Sequence, residues 1–189
     1  MIIGVTGTNG AGKGTLPEYL VERHGFTHYS ARAFITEEIE RRGLPVDRTS
    51  MNMVANDLRK MYGPEHVVKS LFERAKENGG DAIIESVRAL GEARYLKEQG
   101  AFVVAIDADR KIRYDRITKR ASATDKVTFE EFCMQEDREM AQEAEYDMNV
   151  GGVMKMADYT LTNDGSLEEL HAAIEEMVST LRSKEPHGV

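Results

Sequence analysis

A glycine-rich segment near the N-terminus constrains the fold of this 189-residue chain more than any other feature. Residues 7–15 read Gly-Thr-Asn-Gly-Ala-Gly-Lys-Gly-Thr, between the apolar run Ile2-Ile3-Gly4-Val5 and a predicted helix over Leu16–His24. Glycines let successive backbone N–H groups turn toward one anion, and the N-terminus of the following helix adds partial positive charge there. A strand, a glycine loop with a lysine, and a helix form the arrangement that cradles a nucleoside triphosphate.

The position of the hydroxyl residue in this loop narrows the interpretation. Lys13 would reach the β- and γ-phosphates of ATP, and a hydroxyl would sit on Mg²⁺. The general pattern has Ser or Thr directly after the lysine, whereas here Gly14 follows it and Thr15 comes next. This variant resembles adenylate kinase and other nucleoside monophosphate kinases, and the resemblance implies that Thr15 is the hydroxyl on the Mg²⁺ side. The loop residues expected to bind the nucleotide are Thr8, Asn9, Gly10, Ala11, Gly12, Lys13, Gly14 and Thr15.

Composition excludes several classes of protein. The chain is 41% hydrophobic and 31% charged, which is typical of a globular domain, and it lacks an apolar run of about 18 residues that would span a membrane. A net charge of −8 argues against general nucleic-acid binding. A strand pattern at the N-terminus leaves no room for a signal peptide, and Cys133 alone cannot form an internal disulfide. We therefore expect a cytoplasmic monomer or homodimer that acts on small nucleotides, without nucleic-acid or membrane partners.

Buried apolar runs alternate with helical patterns along the chain. Runs that predict parallel strands are Met1–Thr6, Phe26–Ser30, Ala82–Ser86, Phe102–Asp107 and Tyr159–Thr162. Helical patterns cover Gly12–His24, Ala33–Arg42, Thr49–Met61, Glu65–Asn78, Ala89–Gln99, Arg110–Lys119, Phe129–Tyr146 and Ser166–Ser183. The alternation predicts a three-layer α/β/α P-loop NTPase fold with a five-stranded parallel sheet. Ser166 and Glu169 predict a capping box on the last helix.

Two segments interrupt this alternation. Residues 31–78 hold helical patterns and no strand, and residues 121–156 are polar, charged and rich in Met. By resemblance to nucleotide kinases, the first is a helical acceptor-binding insert and the second is a lid that closes to exclude water. We expect one domain over residues 1–183 and a flexible tail over 184–189.

An acid and an arginine follow the third predicted strand, at the sheet edge where ligands bind. Nucleoside monophosphate kinases carry Asp at the end of this strand, and an Arg three residues later holds the acceptor phosphate. The corresponding residues are Glu85, expected on the Mg²⁺ side despite its extra methylene, and Arg88. The string around Glu92 resembles phage-type deoxynucleoside monophosphate kinases, so its carboxylate would bind the base or sugar of the acceptor, or would equally orient Arg88. An ordinary i,i+4 pair between Arg88 and Glu92 is the alternative.

Further arginines are expected around the transferred phosphoryl group. Arg116 and Arg120 share one helix face, and their segment is similar to the one that leads into the lid of adenylate kinase, where both arginines bind phosphates. Arg138, in the predicted lid helix, would join them, and with Lys13 these three are the expected catalytic residues. A solvated basic face, or a surface ion pair in the case of Arg138, is the alternative.

The remaining candidates follow the second and the last strand. Arg32 lies in a segment that partly matches the acceptor site of adenylate kinases, so we expect it to contact the acceptor phosphate. Asn163 and Gly165 lie in residues 157–170, which resemble the C-terminal segment of dephospho-coenzyme A kinases, whose loop packs against adenine. The same residue types are normal in a plain strand-to-helix turn.

These patterns favour an ATP-dependent, Mg²⁺-assisted phosphotransferase with a nucleoside or deoxynucleoside monophosphate as acceptor. Transfer to a hydroxyl, as in dephospho-coenzyme A kinase, needs a carboxylate base, and the sequence gives no clear candidate for one. Residues 34–43, 51–68 and 128–139 also resemble an archaeal group described as dephospho-coenzyme A kinase-like, so transfer to a hydroxyl stays open. A nucleotide-binding switch or slow ATPase that acts through a partner is the second alternative.

Overall fold

A parallel sheet with its first strand at the centre organises the chain. The computed structural model describes residues 1–120, 127–140 and 147–185. The sheet comprises β1 (Ile2–Gly7), β2 (Thr27–Ser30), β3 (Ala82–Glu85), β4 (Phe102–Asp107) and β5 (Tyr159–Thr162). The strands lie in the order β2-β3-β1-β4-β5, and every neighbouring pair is parallel. The prediction of a five-stranded parallel sheet is confirmed.

Helices cover both faces of this sheet. They are α1 (Thr15–His24), α2 (Ala31–Arg41), α3 (Arg48–Tyr62), α4 (His66–Asn78), α5 (Leu90–Glu98), α6 (Arg110–Arg120), α7 (Phe129–Met140), α8 (Val150–Lys155) and α9 (Leu167–Lys184). Successive strand residues point to opposite faces, so Ile83 packs with α1 and α9 whereas Ile84 packs with α2–α5. The result is the predicted three-layer arrangement, with one hydrophobic core on each side of the sheet.

The helical insert is a three-helix unit that shares the hydrophobic core on one face of the sheet. Side chains that accept from backbone N–H groups start two of its helices: Ser30 caps α2, and Asp47 caps α3. Arg42 joins the two helices, since it pairs with Glu38 at 2.7 Å and with Asp57 at 3.1 Å. Packed in this way, α2 and α3 form a wall above the carboxyl ends of β1 and β3.

Some predicted boundaries need correction at the C-terminal half. The short helix α8 was not predicted, because its sequence VGGVMK contains two glycines. Helix α9 runs one residue into the predicted tail, and Glu185 then pairs with the N-terminal ammonium at 3.2 Å. The capping box of Ser166 and Glu169 is present as predicted. Residues 121–126 and 141–146 of the predicted lid, and 186–189 of the tail, lie outside the described residues.

In the part of the chain that the structure describes, none of the helices combines the length and apolar character that crossing a bilayer requires.

Candidate active site

The glycine loop after β1 depends on residues without a Cβ atom. Gly7 has φ +140°, and a Cβ there would lie 2.0 Å from the carbonyl oxygen of Ile106 on the neighbouring strand. Gly12 has φ +105°, and its Cβ would lie 2.6 Å from Nδ2 of Asn163. Both positions combine a left-handed backbone with a close approach that only glycine allows.

The ammonium group of Lys13 lies inside this loop. Its Nζ donates to the carbonyl oxygens of Gly7 at 2.9 Å and Thr8 at 2.6 Å. The pKa of Lys13 is lowered to about 7, mainly by burial and also by the positive charge of Arg88, while the negative charge of Glu139 opposes the shift. The loop therefore holds a lysine whose protonation is sensitive to any anion that reaches it.

Contacts from β4 and from the segment after β5 hold the base of the loop. Thr8 donates from Oγ1 to Oδ1 of Asp107 at 2.5 Å. Asn163 is buried and donates from Nδ2 to the carbonyl oxygen of Ala11 at 2.8 Å. Arg116 donates to the carbonyl oxygen of Asn163 at 2.8 Å. Asn163 thus supports the loop directly, and Arg116 lies beside the last strand.

Gly165 lies in the turn before α9. A Cβ there would lie 1.9 Å from Oε2 of Glu169, the acid of the capping box, so helix capping explains this glycine.

A cavity of about 450 Å³ opens in front of the loop. Its walls come from the glycine loop, α2, α3, the segment after β3, and α7. Its basic residues are Lys13, Arg32, Arg59 and Arg88, and its acidic residues are Asp47, Glu85, Glu136 and Glu139. The structure therefore brings together two sets of residues from the sequence analysis. Lys13 and Glu85 were expected to meet ATP and Mg²⁺, and Arg32 and Arg88 were expected to bind the acceptor phosphate.

The end of β3 presents an ionised acid in a strained turn. His28 on the edge strand pairs through Nε2 with Oε2 of Glu85 at 2.8 Å, and this hydrogen bond is the main cause of the lowered pKa of Glu85. Ser86 has φ +73°, a conformation that is unfavourable for a residue with a Cβ, and it lines the cavity. Strain of this kind clusters at functional sites, since the surrounding contacts must hold it.

Arg88 is fixed through its backbone, whereas its guanidinium has a weak partner. The N–H of Arg88 donates to Oε2 of Glu92 at 2.8 Å, and its carbonyl oxygen accepts from the N–H of Asn149 at 2.8 Å. Its Nη1 lies 3.5 Å from Sδ of Met148. A thioether is a weak acceptor, so the guanidinium retains strong donors for an anion in the cavity.

The structure corrects the prediction that Glu92 meets the base or sugar of an acceptor. Its side chain is fully buried behind the cavity wall, paired with the guanidinium of Arg59 at 2.9 Å. Its carboxylate also caps the start of α5, because it accepts a hydrogen bond from the backbone N–H of Arg88. The alternative, in which Glu92 orients Arg88, fits this placement, although it acts through the backbone and not through an i,i+4 side-chain pair.

The predicted lid helix lines the cavity with acidic residues, whereas an arginine was expected there. Helix α7 reaches the cavity through residues that include Gln135, Glu136 and Glu139. Arg138 is exposed and is not among the α7 residues that line the cavity. Among the described residues, α7 therefore contributes carboxylates where a cation was expected. The side chain of Arg120 lies outside the described residues.

Sequence analysis missed Arg113, which connects α6, α7 and the glycine loop. Its guanidinium is buried and forms a two-pronged ion pair with Glu136. It also donates to the carbonyl oxygen of Asn9 in the loop at 3.2 Å. Arg113 lies four residues before the buried Ile117, and this shared helix face was the available indication that Arg113 points inward.

The residues available for a metal suit Mg²⁺ only together with a nucleotide. Thr15 begins α1, and Glu85 offers carboxylate oxygens, the hard ligands that Mg²⁺ prefers. Across residues 1–120, 127–140 and 147–185, no group of three or more His, Cys, Asp or Glu side chains is arranged to hold a metal. Since Mg²⁺ usually binds one or two protein oxygens plus substrate phosphates, this donor set fits an ion carried by ATP.

Comparison with known proteins gives a family. The model of a family described as an AAA domain matches residues 3–145. A UPF0200 protein of Pyrobaculum aerophilum is 30% identical over 184 residues, 96% of this chain and 98% of its own length. A UPF0200 protein of Thermococcus kodakarensis is 31% identical over 191 residues, 97% of this chain and 100% of its own length.

Solved structures agree on the fold. Shikimate kinase from Bacteroides thetaiotaomicron superposes with a TM-score of 0.61 at 12% identity, covering 96% of this chain and 98% of the other. The protein TT1252 from Thermus thermophilus gives a TM-score of 0.60 at 21% identity, covering 96% and 97%. At these identities the likeness concerns the fold, and it supports the predicted P-loop architecture.

Proposed function

The chain belongs to the AAA domain family and to the UPF0200 proteins, and on that premise we propose that it is an ATP-dependent phosphotransferase. Its acceptor is a nucleoside or deoxynucleoside monophosphate, which becomes a diphosphate. One observation carries the proposal: Lys13 of the glycine loop lines the same cavity as Arg32 and Arg88. Transfer from ATP to a second phosphate group brings two anions together, and a convergence of cations offsets their repulsion.

The donor side of the proposed site is the glycine loop. The loop N–H groups and Lys13 would hold the β- and γ-phosphates of ATP, at the N-terminus of α1. Mg²⁺, with Thr15 and Glu85 on its side, would supply charge neutralisation between these phosphates when bound. Asn163 fixes the loop from behind through its contact with Ala11.

The acceptor side combines cations with a surface that suits the nucleobase of an acceptor. Arg32 and Arg88 would bind the acceptor phosphate. The facing surface of α3 presents Met51 and Ala55 beside the amides of Asn52 and Asn56. Apolar side chains can lie against the face of a base, and amides can both donate to and accept from its edge. A monophosphate of a nucleoside would satisfy all of these groups at once.

Three of the carboxylates that line the cavity are held by other groups, which favours an acceptor that needs no general base. Asp47 caps α3 through the N–H of Ser50, Glu85 pairs with His28, and Glu136 pairs with Arg113. A phosphate acceptor is already ionised, so its oxygen can form the new bond to the γ-phosphorus while the bond to the β,γ-bridging oxygen breaks and ADP leaves. The protein then accelerates the reaction by positioning and by electrostatic stabilisation.

Coupled ADP production with Mg-ATP tests this proposal. The panel is AMP, GMP, CMP, UMP, their deoxy forms, dTMP and dephospho-coenzyme A. We expect one or a few monophosphates to raise the rate well above that with ATP alone. A response to dephospho-coenzyme A alone would assign transfer to a hydroxyl. A slow rate that no acceptor changes would indicate an ATPase or a switch, and either result would overturn the proposal.

A further inference from the structure

A buried ion pair links the helical insert to the segment that carries Arg88. Arg59 on α3 donates from Nε to Oε1 of Glu92 on α5 at 3.0 Å, and its Nη2 lies 2.9 Å from the same oxygen. The side chain of Arg59 is 5% exposed and that of Glu92 is 0% exposed. Charges buried this deeply are costly unless both are paired, so the two side chains must remain together.

The second oxygen of Glu92 holds the backbone that follows β3. Oε2 accepts from the N–H of Arg88 at 2.8 Å and from the N–H of Ala89 at 3.0 Å. Two residues earlier, Ser86 has the left-handed φ of +73°, so this segment leaves the strand in a conformation that its contacts must maintain. The carboxylate of Glu92 therefore sets the direction in which Arg88 leaves the backbone.

Arg59 also contributes to the wall of the cavity. Its Nη1 lies 3.5 Å from Oδ1 of Asn56, at the outer limit of a hydrogen bond. Asn56 lines the cavity as well, one helical turn before Arg59. The ion pair is thus connected both to the surface of α3 that faces the acceptor and to the arginine that would bind its phosphate.

We propose that Arg59 and Glu92 are positioning residues for the acceptor. They set the geometry of Arg88 and make α3 and the segment after β3 move as one unit. The inference rests on the proposed function, because that function gives Arg88 its role. The glycine loop is held by a different set of contacts, those of Asp107 and Asn163, so we expect the pair to affect the acceptor more than ATP.

Amide hydrogen exchange tests the structural half of this inference without any need for activity. In the full-length protein, Arg59→Met should speed exchange at the N–H groups of Arg88 and Ala89 by about tenfold or more, because the buried carboxylate of Glu92, left without its counter-charge, must take up a proton or move toward water and so holds these N–H groups less well. Arg42→Met is the matched control, since it breaks a partly exposed ion pair between α2 and α3 that does not include Glu92. Equal acceleration at these two amides in both variants would overturn the inference.

Steady-state kinetics test the functional half. For Arg59→Met we expect the KM of the monophosphate acceptor to rise about tenfold or more and the KM of ATP to change by about twofold or less. Arg59→Lys keeps the charge and loses the two-pronged contact, so it should give an intermediate rise and serves if the Met variant does not fold. Equal changes in both KM values would contradict a positioning role. If the wild-type protein transfers to no acceptor, the proposed function fails, and the exchange rates alone decide whether the pair positions Arg88.

Discussion

At the scale of single residues, the pKa of Lys13 departs strongly from its ordinary value. Burial lowers its pKa to about 7, whereas the charged form is the one that binds phosphate. A bound triphosphate would favour the ammonium and raise the pKa again. Binding near and above pH 7 should therefore take up a proton, and apparent nucleotide affinity should fall as the pH rises above 7.

Calorimetry measures this proton uptake. Titration of AMP-PNP with Mg²⁺ at pH 8, in buffers of different ionisation enthalpy, should give an uptake approaching about one proton per site. In Lys13→Met the uptake should disappear. The same uptake in wild type and variant would show that another group titrates, and it would remove Lys13 from this account.

Loss of the Arg88 side chain should weaken binding of the acceptor more than binding of ATP. Arg88→Ala removes a guanidinium whose side chain has a weak protein partner, so the fold should tolerate the change. We expect the KM of the acceptor to rise by about 10²-fold and the KM of ATP to change much less, because charge-assisted bonds to phosphate are strong. Arg94→Ala, an exposed position on α5, is the control. Equal effects on both substrates would move Arg88 out of the acceptor side.

Sequence reasoning found residues that carry local motifs and missed those defined by distant partners. Lys13 and Arg88 follow strands in recognisable strings, and the structure brings both to one cavity. Arg59 and Glu92 are 33 residues apart, so their pairing exists only in the folded chain. Arg138 lies on the predicted lid helix, but the residues of that helix that line the cavity include Glu136 and Glu139 and not Arg138.

At the scale of elements, the glycine loop contains positions that should not tolerate substitution. Gly12 has φ +105° and would place a Cβ 2.6 Å from Asn163, whereas Gly14 in the same loop has φ −78° and open space around a Cβ. Gly12→Ala should therefore lower the free energy of unfolding by about 1–3 kcal/mol, and Gly14→Ala should not lower it measurably. Thermal and urea unfolding check this pair. An equal loss in both variants would show that the loop conformation differs from the one described.

The elements themselves follow from sequence patterns to different degrees. Strands Phe102–Asp107 and Tyr159–Thr162 were predicted with their observed limits, because continuous apolar runs between turn residues are unambiguous. The sequence patterns place the start of α1 between Gly12 and Leu16, and the helix begins at Thr15, since the loop has to wrap before the helix can begin. The short α8 depends on packing against α5 and α7, which no local pattern records.

At the scale of the whole molecule, the cavity lies where parts that are distant in sequence meet. In the proposed reaction the glycine loop would bring the donor side and the helical insert over residues 31–78 would bring the acceptor side, and α7 lines one flank of the cavity. The parallel sheet order β2-β3-β1-β4-β5 places the ends of β1 and β3 side by side beneath this cavity. Under the proposed function, this cavity is where the γ-phosphate of ATP and the acceptor phosphate would meet.

The most direct test follows the γ-phosphoryl group itself. Wild-type protein is incubated with γ-labelled ATP, Mg²⁺ and the best monophosphate of the panel, and the products are separated. The account predicts label in the nucleoside diphosphate, with transfer reduced on the order of 10²-fold or more in a folded Lys13→Ala variant. Label only in inorganic phosphate, or full transfer by Lys13→Ala, would contradict a phosphotransferase built around this loop.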